Sequence, residues 1–275
     1  MDFQDTPLEA RSIARQVARG LRKSGFGIAI EKAIANDAPL RTTLLAKKGT
    51  LHRLVEAQAQ MRVDSVLIGL ARWLGSRGQY AELFVASDSD AQLTGRTVRQ
   101  CRDEGIGILT VHDDGRLDVV LPARNFALVV NLDPNLRLGN KRTAVDRAIG
   151  DFNSGERKSG VRDICEMVEK ETDAIALKAV DKGWLVKHRD QVERMSWSRQ
   201  IEMLASQSSY VVDKEPMLDP VLARDLQALR DARNLFDHKV RTAAKEKKRD
   251  LQAKEKMLQG PRLLSELLGI KRRIR

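Results

Sequence analysis

At 275 residues, with 42% of them hydrophobic and 32% charged, the chain carries enough apolar material for one large core or two ordinary ones and is not a disordered polyelectrolyte. Only 4% is aromatic, which argues against a base-stacking platform, and no apolar run approaches the length of a membrane span. The formal net charge is +11, and nine of those charges fall in residues 239–275, where thirteen Lys and Arg stand against four Asp and Glu, a footprint suited to polyanions or to a solvated helix face.

Thr6-Pro7-Leu8-Glu9 reads as a helix start, with Thr6 as cap, Pro7 at the first helical position and Glu9 closing a capping box. Leu8, Ile13, Val17 and Leu21 give this helix its buried stripe, and Arg11, Arg15, Arg19 and Arg22 give a basic stripe beside it. Gly25-Phe26-Gly27 ends it. Strands are expected over 26–30, 42–46 and 51–58, the last two joined by a turn at Lys47-Lys48-Gly49-Thr50. A helix over 62–74 follows, with Val63, Val66, Leu67, Leu70 and Leu74 on one side. Residues 83–86 form a buried strand. Asp88-Ser89-Asp90 offers a cap for a helix ending near Glu104, and strands over 106–111 and 117–121 flank an Asp113-Asp114-Gly115 turn. Helix, three strands, helix, strand, helix and two strands make an α/β sheet domain.

The apolar stretch 126–132 is broken by Asp133-Pro134-Asn135, which marks the domain boundary. Residues 134–160 read as a linker or bridging helix, with a short amphipathic piece at 145–149. Helices are expected over 161–182 and 200–205, and a third starts at Asp219-Pro220 and runs through Arg233. The fold class is therefore two domains: an α/β sheet domain over 1–133, and an all-α helical domain over 161–260 followed by a basic tail at 261–275.

The densest chemistry lies in Arg233-Asn234-Leu235-Phe236-Asp237-His238. A guanidinium can grip a phosphoryl oxygen with a planar fork, and an imidazole can take or give a proton near neutral pH. The ordinary alternative is a continuous helix in which Arg233 and Asp237 form a salt bridge and Asn234 and His238 share a face. His52 shares a strand face with Glu56, His112 sits beside a turn, and His188 lies between helices; none has metal-ligand spacing. Gly105-Ile106-Gly107 enters a strand and so is no phosphate loop. Cys101 and Cys165 stand alone and read as buried thiols of a reducing compartment. With no signal-like N-terminus, a soluble cytoplasmic protein with no metal and no cofactor is expected. Candidate nucleic-acid contacts are Arg11, Arg15, Arg19, Lys245, Lys247, Lys248, Arg249, Arg272 and Arg273.

Over residues 8–130 the element order resembles the PD-(D/E)xK nuclease fold, in which an acid on the second strand and Glu-x-Lys on the third bind magnesium and activate water. Leu54-Val55-Glu56-Ala57-Gln58 supplies Glu56, but Gln58 stands where the lysine is expected and Thr43 where the aspartate is. Glu31, Asp37 and Asp64 are the carboxylates placed to substitute from shifted positions. The resemblance implies a restriction-endonuclease-like sheet domain that has lost its activity, kept to bind nucleic acid, a nucleotide or a regulatory partner protein.

Over about 145–250 the chain resembles HEPN domains (higher eukaryotes and prokaryotes nucleotide-binding), through Arg233-Asn234-x-x-x-His238 and its lead-in from Leu226 and Leu229 to Arg230. That resemblance implies a helical bundle that cuts RNA without a metal, with His238 as general base or acid, Arg233 stabilising charge on phosphorus and Asn234 orienting the histidine or the RNA. It also implies a homodimer with two motifs lining one cleft, and a place in a toxin or antiviral defence system. The expected function is a metal-independent endoribonuclease. The alternatives are a catalytically silent nucleic-acid- or nucleotide-binding regulator, and a metal-dependent DNA nuclease using Glu56.

Overall fold

The computed structural model describes residues 3–88, 93–112, 114, 116–237, 240 and 242–274. The chain falls into two compact units: Met1–Val129 with Asn153–Gly155 and Val240–Lys248, and Val130–Phe152 with Glu156–Lys239 and Arg249–Arg275.

The first unit runs α1 (Leu8–Lys23), β1 (Gly27–Lys32), β2 (Thr42–Lys48), β3 (Leu51–Ala57), α2 (Ser65–Ser76), β4 (Ala81–Asp88), α3 (Gly95–Glu104), β5 (Gly107–Val111) and β6 (Leu117–Leu121). Its six strands form one mixed sheet in sequence order. β1, β2 and β3 are antiparallel neighbours, β3, β4 and β5 run parallel, and β6 turns back antiparallel to β5. The parallel pairs are the ones whose connections contain α2 and α3, as parallel crossovers require. Gly49, at φ +58°, supplies the left-handed residue of the β2–β3 hairpin.

Alternation along the strands divides two apolar layers. Ile13, Ala14, Val17 and Leu21 of α1 pack with Leu44, Ala46, Val55 and Phe84. Leu67, Leu70 and Leu74 of α2 and Cys101 of α3 pack with Leu54, Leu83, Val85 and Ile108 on the other face. β4 is covered on both faces, which explains its unbroken apolar run.

Two local expectations are overturned here. Thr6 does not cap α1: its N–H and Oγ1 donate to Glu31 Oε1 at 2.8 and 2.7 Å, Pro7 is the cap position, and Leu8 is exposed rather than in the stripe. A carboxylate on the neighbouring strand outcompetes the local cap. Helix α3 is capped by Thr94, whose Oγ1 accepts from the Thr97 N–H at 3.2 Å, and not by the Asp88–Asp90 stretch. Ser89 and Asp90 lie outside the described residues.

The second unit is helical. It comprises α4 (Arg142–Ser154), α5 (Arg157–Asp181), α6 (Arg189–Glu193), α7 (Trp197–Ala205), α8 (Pro220–Ala232) and most of α9 (Ala243–Arg273). Its core includes Val145, Phe152, Ile164, Val168, Leu204, Leu226, Leu229, Met257 and Leu267. The 134–160 segment contains all of α4, with Val145, Ala148, Ile149 and Phe152 buried. The stretch expected as a basic tail at 261–275 is helix as far as Arg273: α9 continues through Pro261 and buries Leu263, Leu264, Leu267 and Ile270. Pro261 removes one N–H donor and leaves the Met257 carbonyl without its helical partner, but the apolar spacing beyond it holds the helix in the core.

Candidate functional site

α8 begins at Asp219, whose carboxylate accepts from the N–H groups of Val221 and Leu222, both at 2.9 Å, with Pro220 at the first helical position. Leu222, Leu226, Leu229 and Ala232 are its buried stripe. The helix stops at Ala232. Beyond it the backbone tightens into successive turns: Arg233 N–H donates to Arg230 O, Leu235 N–H to Ala232 O and Asp237 N–H to Asn234 O, each at 3.1 Å and each spanning three residues. The expectation that a continuous helix carries the motif is therefore corrected for the described residues, as far as Asp237.

The Arg233–Asp237 ion pair expected on that helix does not form. Arg233 Nη1 donates to Glu169 Oε2 of α5 at 2.9 Å, and Asp237 Oδ1 accepts from Lys158 Nζ of the same helix at 2.7 Å. The Arg249 guanidinium lies over the Phe236 ring, 4.8 Å from its centre. Thus α5 and α9 set the turn from two sides. The Arg233 side chain is 40% exposed, and Asn234 beside it is exposed. His238 lies outside the described residues.

Behind the turn, Cys165 donates to Leu229 O at 3.4 Å, and burial pushes its thiol up to about 12. Burial raises Cys101 to about 11. Both cysteines are free and buried, and neither is a nucleophile at neutral pH. Further along α9, Asp250 is fully buried and accepts from Arg157 Nη1 at 2.5 Å, with Arg249 Nη2 at 3.5 Å from its other oxygen.

The basic candidates divide between the units. On α1, Arg15 and Arg19 are exposed, whereas Arg11 is committed to structure: its guanidinium donates to the carbonyls of Thr6 at 2.9 Å and Gln4 at 3.3 Å. Lys245 and Lys248 are exposed, and Lys247 lies 5.3 Å from the centre of the Tyr80 ring. In the second unit, Arg249 is partly buried and occupied as above, and Arg272 and Arg273 are exposed.

The sheet site is brought together. Thr43 and Glu56 are cross-strand neighbours, with the Thr43 N–H donating to Glu56 Oε2 at 3.0 Å and Thr43 Oγ1 accepting from the Ala57 N–H at 3.2 Å. Glu56 and Gln58 line a cleft of about 410 Å³ with Glu9 and Arg62. Glu9 was assigned to a cap by sequence and is found in this cleft instead. Burial raises the Glu56 carboxyl above its ordinary value; hydrogen bonds from Thr43 oppose this, and the charges of Asp64 and Glu31 add to it. The substitute acids are employed elsewhere: Glu31 holds Thr6, Asp64 caps α2 through the Leu67 N–H, and Asp37 pairs with Arg77. Gln58 Oε1 accepts from the Arg62 N–H at 2.8 Å. Among the described residues no group of three or more His, Cys, Asp or Glu is arranged to hold a metal ion.

His112 Nε2 meets Asp118 Oδ2 at 2.8 Å across the β5–β6 connection, and His188 precedes α6, its N–H donating to Gln191. Burial, and then the charges of Lys47 and Lys247, lower the pKa of His52. No described helix is long and apolar enough to cross a membrane. Compared with family models, with curated proteins and with solved structures, the chain shows no match.

Proposed function

We propose that the helical unit is a metal-independent endoribonuclease whose reacting groups are Arg233, Asn234 and His238. The observation that carries this reading is the half-exposed Arg233 guanidinium, anchored by Glu169 at 2.9 Å on the turn after α8 with the exposed Asn234 amide beside it. Anchoring through one nitrogen orients the planar fork before substrate arrives, which is how a guanidinium stabilises charge growing on phosphorus. In the proposed reaction the ribose 2′-oxygen attacks phosphorus and the 5′-oxygen leaves. His238 takes the 2′-hydroxyl proton or supplies one to the leaving oxygen, and Asn234 orients it or the RNA. The products are a 2′,3′-cyclic phosphate and a 5′-hydroxyl.

The finer reading is a HEPN-like bundle that pairs as a homodimer around RNA. The first unit is then a PD-(D/E)xK-like domain: the order α1, β1, β2, β3, α2, β4 supports that likeness, and Thr43 and Gln58 in place of acid and lysine support its silence. The test is cleavage of single-stranded RNA in EDTA. Wild type cuts, and Arg233→Ala and His238→Ala each lose about a hundredfold or more in rate. Full activity in both variants rejects the assignment.

The Glu169 contact also favours a second reading. A guanidinium already neutralised by a carboxylate suits a turn that is held for structure, in a regulatory protein that binds nucleic acid without cutting it. Salt-sensitive RNA binding with no cleavage in EDTA or magnesium is the outcome that selects it.

A further inference from the structure

The sheet of the first unit is not evenly covered. Helices α2 and α3 pack over β3, β4 and β5, with Leu45 of β2 partly packed on that layer, while the same face of β1 and of β2 around Lys47 is open. Register puts Gly27 opposite Lys47, Ala29 opposite Leu45 and Lys47 opposite His52, so Gly27, Ala29, Leu45, Lys47 and His52 all project from that one face. They line an open cavity of about 550 Å³, within the range of small-molecule sites. The floor is small and apolar. A Cβ added at Gly27 would meet nothing closer than the Lys47 carbonyl at 3.7 Å, so open space stands above it.

The rim is cationic. Lys47 lines it and is exposed, and Lys247, beyond the lining, is close enough that both charges act on the His52 imidazole. Lys247 is brought there by the start of α9: Ala243 packs against Gly49, and Lys247 rests on Tyr80, whose carbonyl accepts from the His52 N–H at 3.2 Å. Among the described residues no acidic side chain lines the cavity, and neither lysine has a carboxylate within ion-pair distance. Two ammonium groups without a carboxylate partner, one of them resting on Tyr80, and an imidazole beside an apolar floor match a ligand with an anionic end and a flat, weakly polar body.

We propose that this cavity binds a small phosphate monoester carrying a planar ring system, of the nucleoside monophosphate class, with the phosphate held by Lys47, Lys247 and His52 and the body lying over Ala29 and Leu45. The site is separate from the Arg233 turn and from the Glu56 cleft, and does not depend on either being catalytic. Protonated His52 adds a third donor, so the bound dianion draws a proton onto the ring.

The test is calorimetric titration of the full chain with adenosine 5′-monophosphate, inorganic phosphate and adenosine. The monophosphate is expected to bind at least about tenfold more tightly than either fragment, since each lacks one half of the recognition. Lys47→Ala and Lys247→Ala, both surface changes that leave the core intact, each weaken it about fivefold or more. Ala29→Leu, which fills the floor, abolishes binding, and Lys182→Ala on α5's C-terminal cap leaves it unchanged. In proton NMR the His52 ring titrates at higher pH with the nucleotide bound. No detectable binding of the monophosphate, equal binding of adenosine, or unchanged affinity in the two lysine variants overturns the proposal.

Discussion

Asp237 finds its partner on Lys158 rather than on Arg233, and that single exchange alters what the six-residue stretch is. Residue identity made the chemistry of Arg233 and Asn234 legible, but the ion-pair partners depend on where α5 runs, and no local spacing encodes that. The same limit applies to Thr6, whose best acceptor is a carboxylate 25 positions away. Glu56 offers a check at this scale. Burial raises its carboxyl, so the folded state holds its proton more firmly than the unfolded chain does. The stability tied to that proton is present below the unfolded value of 4.5 and is lost as pH rises through the folded value. Glu56→Gln keeps an acceptor for the Thr43 N–H without the charge. Its melting temperature should exceed that of wild type at pH 7.5, with the gap closing toward pH 4; a lower melting temperature at pH 7.5 would contradict the cause assigned to the shift.

At the scale of elements, strands and helices with a clean period were readable, and the failures share one origin. The density of Lys and Arg over 239–275 read as a basic tail from 261 onward. Yet Leu263, Leu264, Leu267 and Ile270 keep a helical spacing there, and that signal was available in the sequence. α4 was seen only as a fragment because its buried residues are few and Gly150 interrupts the pattern. Two variants probe the packing these helices make. A Cβ at Gly160 of α5 would lie 2.6 Å from the Ala148 carbonyl of α4, so Gly160→Ala should cost about 1–3 kcal/mol in denaturant unfolding. Arg157→Ala removes a 2.5 Å ion-pair partner of a fully buried carboxylate and should cost about 3 kcal/mol, whereas the double change with Asp250→Asn should recover part of it. An Arg157→Ala protein as stable as wild type would mean that the remaining partners of Asp250, Arg249 among them, satisfy it.

For the whole molecule, composition located the charge but not its use. Nine of the eleven net charges lie in 239–275, and most of that stretch is α9, which buries nine of its 31 residues and keeps its charged positions largely at the surface. The exposed basic residues there, Lys245, Lys248, Arg272 and Arg273, are the ones available to phosphates, while Arg11 and Arg249 are occupied by the fold. RNA affinity should fall steeply with salt. Each of those four residues that meets a phosphate should lower the slope of log K against log salt by about 0.7 when changed to Ala; an unchanged slope in the fourfold variant would place the contact elsewhere.

The chemistry proposed for Arg233 and His238 is tested most directly by the ends of the fragments expected from RNA incubated with the protein. Single-stranded RNA is incubated with wild type in EDTA and the fragments are weighed by mass spectrometry, beside His238→Ala. The account predicts 2′,3′-cyclic phosphate and 5′-hydroxyl ends from wild type and none from the variant. Fragments with 3′-hydroxyl and 5′-phosphate ends that appear only with magnesium and vanish in Glu56→Gln would contradict it and move the chemistry to the sheet.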